Sequence, residues 1–467
     1  MIHYPDDPHQ LFFTSRSELV TDEPLVACVD QVVRRLDLSE LHSRYSESGA
    51  AYYDPAMQLK VLFFAYCDGV RSCRQIEKHI KYDLRYQYYT GSLRPDFRTI
   101  DRFRRTNLDL LPGYFVRIVL LCQEAGLVDG STIAIDGTRL RASCSNSRTW
   151  NKKHESQLAV EIHDLLQSDN EERPETDASL PMDSSRPAIT DPDARFMKTS
   201  DGTLQSCYNA QIAVDTNQII VAADVSSVSD DSTQYSTLVE QASAQVGRLD
   251  QVLVDGGYYA GKNLKHAERH GYDLYMPIPR QRRTPGGQFT REDFTYDSSS
   301  DQYYCPAGNA LLYKQSRNRN EITRRIYRAS THCCSNCLLK TQCTTRSHRE
   351  LNISEVYHLE RSMTAKLASA RGQRRYTRRK SLVEPVFGNL KFNLKFDRFL
   401  LRTLPKVCGE FHLMCIAHNL KKLASFRTPK TALTGALYRI LVRVEVSASA
   451  WCQFGAHRRA PEVQLAV

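Results

Sequence analysis

The sequence predicts an α/β protein: a mixed sheet flanked by helices, preceded by an all-α N-terminal domain and interrupted by a cysteine-containing insert. Three observations lead there. Capped helical patterns fill residues 1–125, and β-branched or alternating runs of strand length take over from about residue 131. Residues 286–360 then break both patterns with Gly-, Ser- and Arg-rich segments and a cluster of cysteines. The length of 467 residues leaves room for several domains.

The helices come first. In "DPAMQLKVLFFAYCDG" Asp54 caps, Pro55 suits the first helical position and Gly69 ends the helix. "RSCRQIEKHI" starts a second helix with Ser72 as N-cap, and "RPDFRTIDRFRRT" a third with Asp96 as cap. Arg98, Arg102 and Arg105 recur at helical spacing on one face of it. Short capped helices ending in a basic one suit a helix-turn-helix-like DNA grip over 1–125. A small bundle with a solvated arginine face fits the same residues equally well.

Strand patterns follow at "STIAID" (131–136), "YNAQIAVD" (208–215), "QIIVAADVSSV" (218–228) and "DQVLVD" (250–255). "GKNLKHAERHG" (261–271) reads as a helix and "YDLYMPI" (272–278) as a further strand, so 126–285 forms the first part of an α/β catalytic domain. Within it, residues 168–193 hold eight acids, two arginines and four prolines, and a disordered acidic insert is expected over 165–195. Helical patterns resume in 361–426, including the amphipathic "GEFHLMCIAHNLKKLASF" with Phe411, Met414, Cys415 and His418 at helical spacing. A basic tail, 427–467, ends the chain.

Composition narrows the function classes. The formal net charge is +10, which favours an anionic partner. The longest apolar run, 116–128, is too short and polar to span a bilayer, and "MIHYPDDPHQLFF" lacks the basic n-region and cleavage site expected of a signal peptide. A soluble, cytoplasmic protein with reduced thiols is expected, with no membrane contact.

Three carboxylates could share one chemistry. Asp136 ends one apolar run and is followed by Gly137; Asp255 ends another and is followed by Gly256 and Gly257. Side chains at the carboxyl ends of strands in an open sheet project into the ligand crevice. An Asp before Gly is as often a turn residue bonding its own backbone. The third acid, Glu384, is the single carboxylate in "RRYTRRKSLVEPVFGNLKFNLK" (374–395), among seven Lys or Arg. Lys391 and Lys395 follow it along one helical side, and Pro385 or Ser381 marks where that helix begins or kinks. Three converging carboxylates repel unless cations neutralise them, and Mg²⁺ or Mn²⁺ with a substrate phosphate fits such an oxygen-rich set. Two such ions promote in-line phosphoryl displacement, while the surrounding Lys and Arg hold a nucleic-acid backbone.

"IAIDGTRLRA", "VDGGYYAGKNL" and "VEPVFGNLKFNLKFDRFLLR…KVCGEFHLMCIAHNLKKL" resemble the three catalytic blocks of the DDE transposases of bacterial insertion sequences. "DPAMQLKVLFFAYCDGVRSCRQIE…TGSLRPDFRTIDRFRR" resembles the helical domain that precedes catalysis in one branch of that family. The likeness spans roughly residues 25–425. It implies a ribonuclease-H-like domain with Asp136, Asp255 and Glu384 as the metal-binding triad, and Tyr376, Arg379 and Lys391 as residues that position the DNA end. The family's third block places three residues between its Arg and Glu. Here four separate Arg379 from Glu384, and Lys380 occupies the expected Arg position.

The cysteine cluster has its own reading. Cys305, in "YYCPAG", with Cys334, Cys337 and Cys343, in "HCCSNCLLKTQC", offers a four-thiolate structural zinc site stapling an insert with no core of its own. Unliganded thiols are the alternative. His412 and His418 fit core or DNA-facing positions better than ligand positions. The expected function is metal-dependent cleavage at element ends and strand transfer into target DNA, by a homodimer bound to terminal inverted repeats. A DNA-binding regulator without catalysis, or a nuclease of the same fold, are the competing readings.

Overall fold

Side-chain caps set where the N-terminal helices begin. The computed structural model describes residues 20, 23–45, 52–144, 190–199, 201–279, 289–319 and 322–426. Its first region holds α1 (Pro24–Arg35), α2 (Ser39–Ser43), α3 (Pro55–Cys67), α4 (Cys73–Tyr82), α5 (Leu84–Thr90), α6 (Phe97–Thr106) and α7 (Leu111–Glu124). Asp54 accepts from the Ala56 and Met57 amides at 3.0 and 3.1 Å, and Asp96 from that of Thr99 at 2.8 Å. Ser72 precedes α4 without a side-chain cap bond. Buried along almost its whole length, α3 is the centre of this layer.

The sheet follows: β1 (Thr132–Arg141), β2 (Arg195–Lys198), β3 (Leu204–Asp215), β4 (Ile220–Ser226), α8 (Tyr235–Val246), β5 (Gln251–Leu253), α9 (Gly261–His270) and β6 (Asp273–Tyr275). Its order is β4–β3–β1–β5–β6, with β2 pairing the start of β3. β3 runs antiparallel to both β4 and β1, whereas β5 and β6 run parallel to β1. Parallel pairs need crossovers, and α8 and α9 lie in them. This order and mix of directions is the ribonuclease-H-like α/β arrangement expected above.

Two expectations need correction here. β1 does not end at Asp136 but continues to Arg141, because β3 pairs with it over nine positions while its parallel partner β5 stops at Leu253. The acidic stretch up to residue 189 lies outside the described residues, and its end is ordered. Asp191 is fully buried and accepts from the Tyr208 hydroxyl at 2.7 Å and the Thr403 amide at 3.0 Å.

The insert is also more structured than its composition implies. β7 (Thr295–Asp297), β8 (Gln302–Tyr304), β9 (Ala310–Arg319) and β10 (Ile322–Ala329) precede two short helices, α10 (Thr331–Ser335) and α11 (Lys340–Cys343), and then β11 (Glu350–Ser354). The five strands form one antiparallel sheet, and Phe294, Tyr303, Leu311, Tyr327, Leu351 and Ile353 give it a core of its own.

After α12 (Tyr357–Ala368) comes the basic helix α13 (Ala370–Gly388), a π-helical turn (Asn389–Asn393) and α14 (Leu404–Ser425). α13 starts neither at Ser381 nor at Pro385. Ser369 caps it through the Gly372 amide at 3.0 Å, and Pro385 sits inside it. Proline lacks the amide that the Ser381 carbonyl would bond one turn back. Gln218 Nε2, in the β3–β4 turn, donates to that carbonyl instead at 3.1 Å. The helix survives its proline because another segment supplies the missing donor.

α14 joins the two layers. Its Gly409 packs so closely on the N-terminal layer that an added Cβ would lie 2.7 Å from Leu108 Cβ. Arg71 donates to the Arg398 and Lys395 carbonyls at 2.5 and 2.7 Å, and lies 3.9 Å from the fully buried Glu410 of α14. Met1–Leu423 forms one unit; of a second, Ala424–Val467, only the first three residues are described, and the 427–467 tail lies outside them. Among the described residues no helix is long and apolar enough to cross a membrane.

His418 is a core residue, as its helical spacing implied. Nε2 donates to the Gln218 carbonyl at 2.8 Å, and Nδ1 faces the Asn389 amide at 3.0 Å, so the neutral ring is the form that fits. Burial pushes its pKa down to about 4. Between the unfolded pKa near 6.5 and that value the unfolded chain takes up a proton that the native one refuses, so this histidine's contribution falls as pH falls. Thermal denaturation of the wild type and His418→Gln across pH 7 to 4 is expected to show the wild type losing up to roughly 3 kcal/mol relative to the variant.

Candidate active site

Adjacent parallel strands bring the two aspartates together. Thr132, Ile133 and Ala134 of β1 stand beside Gln251, Val252 and Leu253 of β5. Continuing that register by two residues sets Asp136 beside Asp255, where β5 has ended and the crevice opens. Burial raises the Asp136 carboxyl above its ordinary range; the Arg379 guanidinium opposes the rise and the Asp255 carboxylate adds to it. Asp136 Oδ1 accepts from the next amide along the strand, that of Gly137, at 2.9 Å, whereas Asp255 Oδ1 accepts from Gly257 at 2.7 Å and opens a turn. The turn reading holds for Asp255 alone, beside the site reading; Asp136 lies within β1.

α13 supplies the opposing charge. It packs on the sheet through Leu382, Val383 and Val386, all buried, and Arg379 Nη1 donates to Asp136 Oδ2 at 2.8 Å. One turn earlier Tyr376 is half-buried; burial raises its hydroxyl pKa, Arg379 lowers it, and Asp255 and Asp136 add to the rise. Lys380, where the family spacing would place the arginine, is exposed. Arg379 is the residue that reaches the acid despite the altered spacing.

Glu384 stands apart from this cluster. It is exposed on the flank of α13, about 140° around and about 7.5 Å along the axis from Arg379. No hydrogen bond or ion pair ties it to another of the described residues. Asp136, Asp255, Tyr376 and Arg379 are thus brought together, and Glu384 lies on the same helix without touching them.

The other basic residues lie farther out. Lys391 is half-buried near Cys207, the partner of Arg141, about 17 Å along β1 from Asp136. Lys395 is exposed with a positive φ, and its carbonyl accepts from Arg71. Arg98, Arg102 and Arg105 are exposed along α6 and line a cleft of about 890 Å³ together with Arg74 and Lys406. Arg104, between them in sequence, turns inward to the Tyr66 hydroxyl at 3.3 Å and the Arg71 carbonyl at 3.0 Å.

Cys305, Cys334, Cys337 and Cys343 all line one cavity of about 20 Å³ in the insert, and Cys333 lines it with them. The Asn309 amide points at Cys305 Sγ from 3.3 Å, and every described cysteine is a free thiol. Three candidate ligand atoms fall within 4.8 Å of one another only at Asp68, His79 and Asp83 among the described residues, so neither the thiols nor the acids above are drawn to closed ligand geometry. Arg85 already bridges Asp68 and Asp83.

A set of polar residues behind Asp255 escaped the sequence reading. Asn209 and Gln211, fully buried on β3, and Asp231, in the turn after β4, bond one another beside the aspartate pair. The only signal was faint: two amides at alternate positions of the otherwise apolar "YNAQIAVD". They also crowd Gly137 and Gly257, though not Gly256, which has only ordinary contacts with Pro277. A Cβ at Gly137 would overlap Gln211 Nε2 and lie 2.8 Å from its Cδ, and one at Gly257 would lie 3.0 Å from Asp255 Oδ1 and 3.3 Å from Asp231 Oδ2.

Two segments match known protein-family models. Residues 304–424 match the transposase DDE domain, and residues 15–106 match a transposase domain, DUF772. No curated protein matches the chain. The first match contains the whole of α13 and the second covers most of the N-terminal helices. Both agree with the DDE transposases of insertion sequences that the motifs resemble, and they support a transposase role.

Gly137→Ala is expected to destabilise the protein by roughly 1–3 kcal/mol through overpacking against Gln211. Gly113→Ala, inside α7 with open space around it, is expected to stabilise by about 0.5–1 kcal/mol. Urea denaturation of both variants checks the contrast.

Proposed function

We propose that the chain is a DNA transposase that cleaves insertion-sequence ends and joins them to target DNA by in-line phosphoryl displacement. The observation that carries this reading is the register that sets Asp136 beside Asp255, facing an arginine and a tyrosine from the third catalytic block. Paired carboxylates at a strand end, partly buried and short of one positive charge, suit Mg²⁺ or Mn²⁺ by their chemistry. Asp136 and Asp255 would hold the ions, with Glu384 as the third ligand from the adjoining helix. Its carboxylate is exposed and bonded to no other of the described residues. Such ions, when bound, supply Lewis-acid activation of the attacking oxygen and charge neutralisation at the phosphate.

The chain's own residues do the rest. Arg379 orients Asp136, and on a bound end it and Tyr376 stand where they would contact the phosphate beside the pair. The cleft of Arg98, Arg102 and Arg105 holds backbone phosphates without reading bases, as does the outlying Lys391 and Lys395. In the first step a water oxygen bonds to phosphorus and the P–O3′ bond breaks, freeing a 3′-hydroxyl. In the second that hydroxyl bonds to a target phosphorus and the target's own 3′-oxygen leaves. Two ends must be joined in concert, which a homodimer on DNA provides.

The test uses a plasmid carrying the gene with its flanking DNA. Mg²⁺-dependent cleavage at the element ends is expected for the wild type. Asp136→Asn, Asp255→Asn and Glu384→Gln are each expected to lose more than roughly 100-fold of it, with DNA binding kept. A non-catalytic regulator would show no difference among the four proteins. A simple nuclease would yield no joined product from a pre-cleaved end.

The insert's thiols are proposed as a structural zinc site. Four of the thiols lining one small cavity beside a hydrophobic core are the right donors for a tetrahedral staple, and they would draw closer together than they stand here to hold the ion. Metal analysis of purified protein is expected to find about one zinc per chain. Cys334→Ser is expected to lose the zinc and to expose the insert to proteolysis while residues 52–144 and 201–279 stay protected; an unchanged digestion pattern and no zinc in the wild type would refute the site.

A further inference from the structure

We infer that Asp231 is a positioning residue for Asp255, acting through Gln211 and Tyr258. This rests on the reading of Asp255 as a metal ligand. Asp255 opens a 3₁₀ turn (Gly256–Tyr258), and where its carboxylate points depends on where that turn is held. Tyr258, fully buried, anchors the turn by donating its hydroxyl to Gln211 Oε1. Gln211 Nε2 in turn donates to Asp231 Oδ1 at 2.6 Å.

The ionised end fixes the sense of this chain. A carboxylate only accepts hydrogen bonds, so Gln211 must turn its NH₂ toward Asp231 and its oxygen toward Tyr258. Tyr258 is then left as the donor. Asn209 Nδ2 adds a second bond to the same oxygen at 2.7 Å, and Arg139 Nη1 a third at 3.1 Å. Arg139 also cancels the charge of Asp231, so the network adds no net repulsion to the aspartate pair. With a neutral residue at 231, Asn209 Oδ1 at 2.8 Å would be left as the one acceptor among the described residues holding the Gln211 amide in this sense, and the acceptor of Tyr258 would be less firmly fixed.

A second link ties the same two turns. Asn263 Nδ2 donates to the Ser232 carbonyl and to the Tyr258 carbonyl, both at 2.8 Å. Between them Gly257 leaves room for the carboxylates of Asp231 and Asp255 to approach. Both lie within 3.0–3.3 Å of the point where its Cβ would stand, which puts their nearest oxygens roughly 6 Å apart or less. The turn after β4 and the turn after β5 therefore move together or not at all.

The experiment measures Mn²⁺ binding to the full chain by the electron paramagnetic resonance of free Mn²⁺, beside thermal melting. Asp231→Asn and Tyr258→Phe are each expected to weaken Mn²⁺ binding by about 10–100-fold, the range for groups behind a ligand. The double variant is expected to be no weaker than either single one, because both break one chain. Melting temperature and DNA binding are expected to change little. A purely structural role predicts the reverse: lower melting temperatures with unchanged Mn²⁺ affinity in the folded variants, and that result overturns the inference. Asp255→Asn separates the two levels. If it abolishes Mn²⁺ binding while Asp231→Asn and Tyr258→Phe bind normally, the inference alone falls. If Asp255→Asn also binds normally, the inference falls together with its premise.

Discussion

Two carboxylates set side by side by parallel strand pairing repel each other, and much of the surrounding structure answers that repulsion. At close range in a partly buried crevice the cost is several kcal/mol unless a cation intervenes. Arg379 intervenes, from a helix more than two hundred residues away in the chain. For it to do so, α13 must lie across β1 with its apolar face down, which fixes Leu382, Val383 and Val386 in the core. The acids thus specify a cation, the cation fixes a helix, and the helix closes one face of the sheet. The nearby Asp231 brings its own compensation in Arg139, so the imbalance stays at the pair.

What the sequence revealed and what it hid follow from the range of the interactions. Asp54 and Asp96 were legible as caps because a cap bonds an amide two or three residues away. Asp136 and Asp255 were legible because an apolar run before an Asp-Gly pair is a local pattern. The start of α13 was not, since Pro385 signals a boundary and the donor that overrides it, Gln218, comes from a different hairpin. The length of β1 beyond Asp136 was hidden for the same reason, being set by β3. The insert's core was missed because its apolar residues, Phe294, Tyr303, Leu311 and Tyr327, are spread thinly among polar ones. Arg379 stands one place off the family spacing, and only the fold shows that it, not Lys380, meets the acid.

The N-terminal helices and the catalytic sheet share a core instead of being joined by a tether. Glu410 of α14 is fully buried, and burial raises its carboxyl pKa; the Leu401 and Leu400 amides at 2.9 and 3.0 Å stabilise its charged form, with Arg104 and Arg71 adding to that. A buried charge satisfied by backbone donors and arginines from the other layer is costly to pull apart. The arginine cleft on α6, which includes Lys406 of α14, is consequently a feature of both layers at once. A phosphate backbone lying in it is held at a fixed distance from the sheet, which is what positioning a scissile bond requires.

Charge sign then separates the two parts of the surface. The chain carries +10 overall, yet the aspartate pair with Arg379 is formally −1, two carboxylates against one guanidinium. On the proposed function, a DNA strand drawn in by the basic cleft would meet local repulsion at the point of chemistry. A divalent cation at the pair would reverse that sign and turn repulsion into attraction. Binding of the cation and of the DNA phosphate would then favour each other, and by linkage the coupling would be equal in both directions. Arg379 bonds Asp136 in the free site. On that reading, the charge that neutralises the acid there would face phosphate on a bound strand, one positive charge used twice.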